Sequence, residues 1–269
     1  MKTFFFMAGL QRSGGTVLSA ILNQNPAMHS APASPLFKMY TRLANTHEEP
    51  ENLDYRREDD IANIYYNIPH AFYASNESQY IVDKNYNWVS PLGVEIIQKF
   101  INSNVKIICP VRNIVDILTS YDTIINANDN SRSNPMDQRV IATSYPDKPI
   151  ADRRADFLMA PNQDIYQSIN YMANIWNSEH KNIMHIVDYD ELTSKPQETI
   201  NNIYNFLEIK PFKHDFDNIQ DTLNIPSESV VGIYDFYKVN PKLEKKSVDS
   251  NKVLLPETID RYSGLEFWK

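Results

Sequence analysis

The sequence predicts an α/β fold, in which a mostly parallel sheet carries helices on both faces. Short apolar runs alternate with segments in which apolar residues recur every three or four positions. The length of 269 residues suits one large domain, and neither an internal repeat nor a linker divides the chain. We therefore predict a single domain over residues 1–269, with a P-loop-like phosphate-binding loop after its first strand.

The N-terminal segment predicts this strand, loop and helix in order. Residues 3–8 form an apolar run typical of a buried parallel strand. Apolar residues then recur at helical spacing between residues 17 and 22, and Pro26 follows. The turn between them holds three of the six glycines of the chain, Gly9, Gly14 and Gly15. This concentration indicates a turn that needs the backbone freedom of glycine.

The later elements continue the same alternation. Strands are predicted at residues 80–82, 105–109 and 183–187, and helices at 91–101, 114–125, 164–180 and from about 194 to 207. Residues 126–163 are polar and show no clear period. Because this stretch is long for a plain loop, we predict a lid or substrate-binding excursion there.

Composition disfavours several classes of function. The formal net charge of −8 disfavours nucleic-acid binding. The single cysteine allows no intrachain disulfide, and the six histidines lack metal-ligand spacing, so we predict no metal site. No apolar run reaches the roughly 18 residues of a membrane span, and Arg12 interrupts the N-terminal apolar run. We therefore expect a cytoplasmic protein without a membrane partner, and the sequence predicts no oligomeric state.

The loop at residues 9–16 carries the first chemical signal. A glycine turn between a strand and a helix presents backbone N–H groups and the positive end of the helix dipole, which bind phosphate or sulfate. A nucleotide-triphosphate P-loop has a lysine after Gly14, whereas this chain has Gly15 there and a cation, Arg12, earlier. The missing lysine disfavours a kinase or nucleotide hydrolase. That function remains an alternative, as does a tight turn without a ligand.

The second signal is the pair Arg112 and Ser120. Arg112 follows the strand at 105–109, and Ser120 lies two turns into the next helix, so the two could hold a second anion. The carboxyl ends of parallel strands line one crevice, which predicts that both signals share a cleft. The other interpretation of Arg112 is an ion pair with Asp116 or a cap on backbone carbonyls.

Together these segments resemble the signatures of sulfotransferases that use 3′-phosphoadenosine 5′-phosphosulfate (PAPS). Residues 11–16 resemble the family loop Arg-Ser-Gly-Ser-Thr. Arg112 and Ser120, eight residues apart, resemble the Arg and Ser of the family's 3′-phosphate site. The stretch 187–207 resembles a family segment whose tyrosine, here Tyr189, lies near the adenine. Lys84 resembles a lysine that faces the transferring sulfuryl group. The chain looks closer to the protein-tyrosine and bacterial branches than to the cytosolic small-molecule branch, because it lacks the latter's C-terminal Arg-Lys-Gly loop; residues 237–242 are a candidate substitute.

The resemblance implies in-line transfer of a sulfuryl group from PAPS to a hydroxyl or amine of a small-molecule or carbohydrate-like acceptor. The product nucleotide would be 3′-phosphoadenosine 5′-phosphate (PAP), and no metal is required. An inactive protein that only binds PAP or PAPS is a further alternative. The implied cofactor-binding residues are Arg12, Ser13, Gly14, Gly15, Thr16, Arg112, Ser120 and Tyr189.

The implied catalytic residues are Arg12 at the leaving oxygen, helped by Lys84, and a base for the acceptor. The protein-tyrosine branch has a glutamate after its second strand, but residues 28–35 contain no carboxylate here. His29 is the nearest titratable group and has a suitable ordinary pKa. Asp83 and a residue of the 126–163 excursion are the other candidates. Structural roles for His29, Tyr189 and the Asp83–Lys84 pair also remain open.

Overall fold

Five parallel strands form the sheet in the computed structural model, which describes residues 2–55, 58–128, 134–143, 147–221 and 233–269. The strand pairings of the described residues are parallel, and the spatial order is β2-β3-β1-β4-β5. The strands are β1 (Thr3–Met7), β2 (Met28–Ser30), β3 (Tyr80–Lys84), β4 (Ile107–Val111) and β5 (Met184–Asp188). The predicted fold class, a single α/β domain with a parallel sheet, is confirmed.

Helices connect the strands and cover both faces of the sheet. They are α1 (Gly15–Leu22), α2 (Leu36–His47), α3 (Glu58–Phe72), α4 (Pro91–Ile96), α5 (Ile114–Asn128), α6 (Pro135–Thr143), α7 (Ile150–Leu158), α8 (Asp164–Trp176), α9 (Tyr189–Ser194), α10 (Pro196–Leu207) and α11 (Pro256–Tyr262). A π-helical turn, Ile97–Ile101, extends α4. Within the described part of the chain, no helix combines the length and apolar character needed to cross a membrane.

The first strand shows why the sheet is buried on both faces. Side chains alternate across a strand, so Phe4 and Phe6 enter one core while Phe5 and Met7 enter the other. All four are almost completely buried. Burial of each stabilises the fold by roughly 1.5–3 kcal/mol relative to exposure. The apolar run therefore belongs to a central strand, as its sequence predicts.

Strand β4 ends later than the predicted 105–109 strand, because it continues through Pro110 to Val111. A proline inside a sheet normally leaves a neighbouring acceptor without a donor. Here the backbone of Gly9 lies against Pro110: a Cβ on Gly9 would sit 2.6 Å from the proline nitrogen and 2.2 Å from its carbonyl oxygen. The Pro110 carbonyl still accepts from the N–H of Leu10 at 2.8 Å. The close approach of these two backbone segments leaves no room for a side chain at Gly9, so glycine is required there.

The described part of the 126–163 excursion is helical. Helices α6 and α7 are tied to α5 through the buried side chain of Arg154, whose guanidinium nitrogens lie 2.5 Å from Asp122 Oδ1 and 2.5 Å from Asp137 Oδ2. Residues 129–133 and 144–146 of the predicted excursion lie outside the described residues. A role of this segment in substrate binding stays a prediction.

Candidate active site

The loop between β1 and α1 is shaped by two residues with positive φ. Arg12 has φ 59° and Gly14 has φ 87°. A side chain at Gly14 would be strained, and its Cβ would also meet the ring of Tyr189 at 2.8 Å. Ser13 is buried, and its hydroxyl contacts the carbonyls of Leu10 and Pro110. The Ser13 hydroxyl therefore closes the turn rather than facing a ligand.

Arg12 extends from this loop over a cleft at the carboxyl edge of the sheet. Its Nε donates to Ser120 Oγ at 3.3 Å, and its Nη1 donates to the carbonyl of Phe236 at 3.0 Å. The guanidinium carbon also lies 5.1 Å from the centre of the Phe236 ring. The first predicted segment therefore touches the helix that carries the second.

Lys84, at the end of β3, reaches the start of α1. Its Nζ would lie only 3.0 Å from a Cβ placed on Gly15. Burial, together with the smaller effect of the nearby Arg12 charge, lowers the pKa of Lys84 to about 7. The lysine that a nucleotide-triphosphate P-loop would carry at position 15 is missing, but a lysine from another strand stands beside that position.

Arg112 lies directly after β4 and faces the same cleft. Its Nη2 donates to the Lys246 carbonyl at 2.7 Å, and its guanidinium carbon lies 4.5 Å from the centre of the Tyr189 ring. Its Nε is buried and has no hydrogen-bond partner among the described residues, while the Asp116 carboxylate is 3.7 Å away. Leaving a buried charged donor unpaired is costly, so this nitrogen suits an anionic ligand.

Residues 236–246, which we call the C-terminal strap, form the outer wall of the cleft. The Lys246 N–H donates to the Tyr189 hydroxyl at 3.0 Å, and the Phe236 and Lys246 carbonyls accept from the two arginines. The strap adds three lysines to the lining, Lys238, Lys242 and Lys246. Two of these fall within the 237–242 stretch that the sequence predicts as a source of cations.

The cleft holds about 850 Å³ of empty space, including its open mouth. Among the described residues, six cationic side chains line the cleft against one carboxylate, Glu244, although the whole chain carries a net charge of −8. This local excess of positive charge, and the Arg112 Nε that donates no hydrogen bond, fit an anionic nucleotide. The predicted residues that line the cleft are Arg12, Gly14, Gly15, Thr16, Lys84, Arg112, Ser120 and Tyr189.

The two predicted base candidates His29 and Asp83 lie elsewhere. His29, on β2, is not among the residues that line the cleft, and its ring packs edge-on against Tyr73 at 5.8 Å. Burial lowers the pKa of His29. The buried Asp83 carboxylate accepts hydrogen bonds from Ser34 at 2.5 Å, Tyr73 at 2.6 Å and Trp88 at 2.7 Å. Three donors saturate Asp83 as a structural acceptor, so the structure brings neither group to the cleft.

Sequence reasoning missed Tyr86, Phe236 and Lys246, which also line the cleft. Tyr86 lies two residues after Lys84 and could have been found as a neighbour of a strand end. Phe236 and Lys246 carry no local signal, since their backbone carbonyls make the contacts with the arginines.

The fold and the cleft define an α/β protein with a positively charged cleft at the carboxyl edge of its sheet. A family model described as the sulfotransferase domain matches residues 2–246, and the chain belongs to that family. The predicted family resemblance is thereby confirmed.

Solved structures show the same fold. The sulfotransferase domain from the curacin biosynthetic pathway is similar with a TM-score of 0.57 and 17% identity, over 97% of this chain and 97% of that one. The sulfotransferase domain from the Synechococcus PCC 7002 olefin synthase is similar with a TM-score of 0.52 and 15% identity, over 97% of this chain and 92% of that one. No curated protein matches the chain.

Proposed function

We propose that the protein transfers a sulfuryl group from PAPS to a hydroxyl or amine of a small-molecule or carbohydrate-like acceptor. The observation that carries the proposal is the convergence of Arg12, Lys84 and Arg112 on one cleft beside a glycine loop. Membership of the sulfotransferase family supports the reaction class. PAPS carries anionic groups at two separated positions, and the cleft offers cations at two separated positions.

The loop and Lys84 would bind the 5′ end of the nucleotide. Backbone N–H groups at the start of α1 and the positive end of its dipole attract anions there. Lys84 adds a buried ammonium beside Gly15. Arg112 and Ser120 would hold the 3′-phosphate, with the Arg112 Nε, which donates no other hydrogen bond, as a donor. Tyr189, which packs on Arg112, would lie near the adenine.

The bound donor supplies the activated sulfuryl group, and the protein supplies fixed positive charge. Arg12 and Lys84 stand where they can stabilise negative charge that develops on the leaving oxygen. Fixed donors of this kind typically contribute a few kcal/mol each to transition-state stabilisation, because they need no reorientation during the reaction. No group of three or more His, Cys, Asp or Glu side chains in the described residues is arranged to hold a metal ion. The proposed chemistry relies on the chain's own cations.

Ligand binding tests this proposal directly. We expect PAP to raise the thermal unfolding midpoint far more than adenosine 5′-phosphate or ATP with magnesium at equal concentration. A ligand at 100 times its Kd stabilises the folded state by about 2.7 kcal/mol. Lys38→Ala, which removes an exposed cation from α2, is the control and should leave the shift unchanged. Preferential stabilisation by ATP with magnesium would favour a kinase or hydrolase instead. Transfer of labelled sulfate from PAPS to a panel of hydroxyl and amine acceptors then separates an enzyme from a protein that only binds.

A further inference from the structure

A short chain of hydrogen bonds links the phosphate-binding loop to helix α8. Gln11 Nε2 donates to Asp164 Oδ2 at 3.4 Å, and the Tyr121 hydroxyl donates to Gln11 Oε1. A carboxylate can only accept, so the amide must present its nitrogen to Asp164 and its oxygen to Tyr121. The buried Tyr121 therefore fixes the orientation of the Gln11 amide, and that amide holds the exposed Asp164 carboxylate at the edge of the loop.

Asp164 does not itself line the cleft, but its carboxylate is held beside the loop that carries Arg12. Gln11 directly precedes Arg12, and Tyr121 directly follows Ser120, the residue that Arg12 contacts at 3.3 Å. The half-buried Tyr86 lines the cleft and lies near both charges: burial raises its pKa, Arg12 opposes the rise and Asp164 adds to it. The pKa of Tyr121 is raised by burial and responds in the same directions to the same two groups. Asp164 and Arg12 are thus both close enough to Tyr86 and Tyr121 to influence their ionisation.

We propose that the Asp164 carboxylate is the catalytic base that accepts the proton of the acceptor hydroxyl. This inference rests on the proposed sulfuryl transfer and names a residue that sequence reasoning did not single out. Asp164 stands one residue beyond the 126–163 excursion, in which the sequence allowed a base. The contact with Gln11 uses Oδ2 of the carboxylate, so Oδ1 can accept the proton.

The proton and electron movements balance without any further reactant. The acceptor hydroxyl gives its proton to Asp164, and its oxygen forms the new bond to sulfur. The bond between sulfur and the oxygen of the nucleotide 5′-phosphate breaks, and its electron pair stays on that oxygen, beside Arg12. Asp164 later releases the proton to water, which restores the carboxylate.

The other carboxylates near the site are poorly placed for this step. Asp83 is saturated by three donors on the opposite side of β3 from Lys84. Glu244 belongs to the C-terminal strap, where its carboxylate lies 3.6 Å from Lys242. Asp116 faces Arg112, at the part of the cleft proposed for the 3′-phosphate. Asp164 is the carboxylate of the described residues that is linked to the loop at Arg12.

Binding measurements test the placement of Asp164 without any acceptor. PAPS differs from PAP by the sulfuryl group, so a carboxylate that faces this group disfavours PAPS selectively. Asp164→Asn should raise the affinity for PAPS relative to PAP by about two- to five-fold at low salt, as expected for unit charges several ångströms apart in a hydrated site. Glu179→Gln removes an equally exposed carboxylate beyond the far end of α8 and should leave this ratio unchanged. An unchanged ratio in Asp164→Asn overturns the proposal.

Turnover measurements provide a second test of the role of Asp164. Asp164→Asn should slow the release of PAP from bound PAPS, with water or a neutral phenol as the acceptor, by about 100-fold or more. Asp164→Glu should stay within about tenfold of the wild type, because it restores a proton acceptor. A rate for Asp164→Asn close to that of Glu179→Gln would overturn the assignment; where release is too slow to follow, the affinity ratio alone decides. If the wild type binds neither nucleotide, the proposed function itself has failed, which is a different result.

Discussion

The Nε atom of Arg12 lies 3.3 Å from the Oγ atom of Ser120, although 108 positions separate the two residues in the chain. Arg12 follows β1 and Ser120 lies on α5, which follows β4, and these two strands are paired in the sheet. Their carboxyl ends therefore leave the same edge of the sheet side by side. This contact places the two candidate anion-binding segments side by side, so that one ligand could reach both.

Removal of Arg112 should weaken binding of the 3′-phosphate of the nucleotide and leave binding of the 5′-phosphate almost unchanged. Arg112→Ala should weaken PAP binding by about 1.5–3 kcal/mol, the usual contribution of a hydrogen bond to a charged group, because the 3′-phosphate loses its guanidinium. Binding of adenosine 5′-phosphate should hardly change. Isothermal titration calorimetry measures both affinities, and thermal unfolding checks that the loss of contacts with Tyr189 and Lys246 leaves the fold intact. Equal losses for both nucleotides would contradict the 3′-phosphate assignment.

Removal of Arg12 should affect turnover more than affinity. Arg12→Ala should lower the rate of PAP release from bound PAPS by about 100-fold or more, since a fixed donor acts mainly on charge that develops during the reaction. Nucleotide affinity should fall much less. Arg12→Gly is the matched variant: it lacks the same side chain but accepts φ 59° without strain, so its free energy of unfolding should exceed that of Arg12→Ala by about 1 kcal/mol. Loss of affinity with unchanged turnover would make Arg12 an anchor only.

Lys84 should make nucleotide binding depend on pH. Its pKa is about 7 in the free protein because burial disfavours the charged form, and a bound anion would favour that form and raise the pKa. The affinity for the nucleotide should therefore be highest below about pH 7 and decrease as the pH rises above it. Calorimetry at pH 8 in buffers of different ionisation enthalpy should show proton uptake on PAP binding. Lys84→Met should abolish that uptake, leaving only the titration of the ligand's own phosphates; persistent uptake would assign it to another group.

The buried ion cluster of Arg154 should govern stability without affecting the ligand. Arg154→Met leaves the Asp122 and Asp137 carboxylates buried and unpaired, which typically costs about 3–5 kcal/mol of unfolding free energy. Chemical denaturation measures this loss. Adding Asp122→Asn and Asp137→Asn to the same chain should recover part of it, because the uncompensated charges are removed. Nucleotide affinity of the folded variants should be unchanged, and a large loss would show that α6 and α7 support the cleft.

Much of the fold could be predicted where several local signals agree. The N-terminal strand, loop and helix combine an apolar run, clustered glycines and helical spacing. Helices α2 and α3 were not predicted, because few of their side chains are buried and Pro69 lies inside α3. Helices α6 and α7 were also not predicted. They are held by charged residues, Arg154 and its two carboxylate partners, and a sequence pattern assigns charged residues to the surface.

The residues of the candidate site could likewise be predicted only where they carry a local sequence signal. Lys84 and Arg112 could be predicted because each follows a strand, and the carboxyl ends of parallel strands converge. Phe236 and Lys246 could not, since their carbonyls reach arginines far away in the chain and any residue type supplies a carbonyl. Asp164 was missed because its link to the loop passes through Gln11, a contact between residues 153 positions apart.

The pair Gly15 and Lys84 allows a sharper test of how the loop binds anions. A Cβ at position 15 would lie 3.0 Å from the Lys84 Nζ and 3.2 Å from its Cε, so Gly15→Ala should force the ammonium to shift by a few tenths of an ångström. We expect Gly15→Ala to weaken PAP binding by no more than Lys84→Ala, for which we expect about tenfold, the scale of one charge-assisted contact. In the Lys84→Ala background the obstacle is gone, and Gly15→Ala should then have little further effect. Calorimetric affinities of the four variants close a double-mutant cycle, whose coupling should be large because the residues touch. Additive losses would show that Gly15 serves the backbone of the loop alone, and that the lysine from β3 does not replace the missing P-loop lysine.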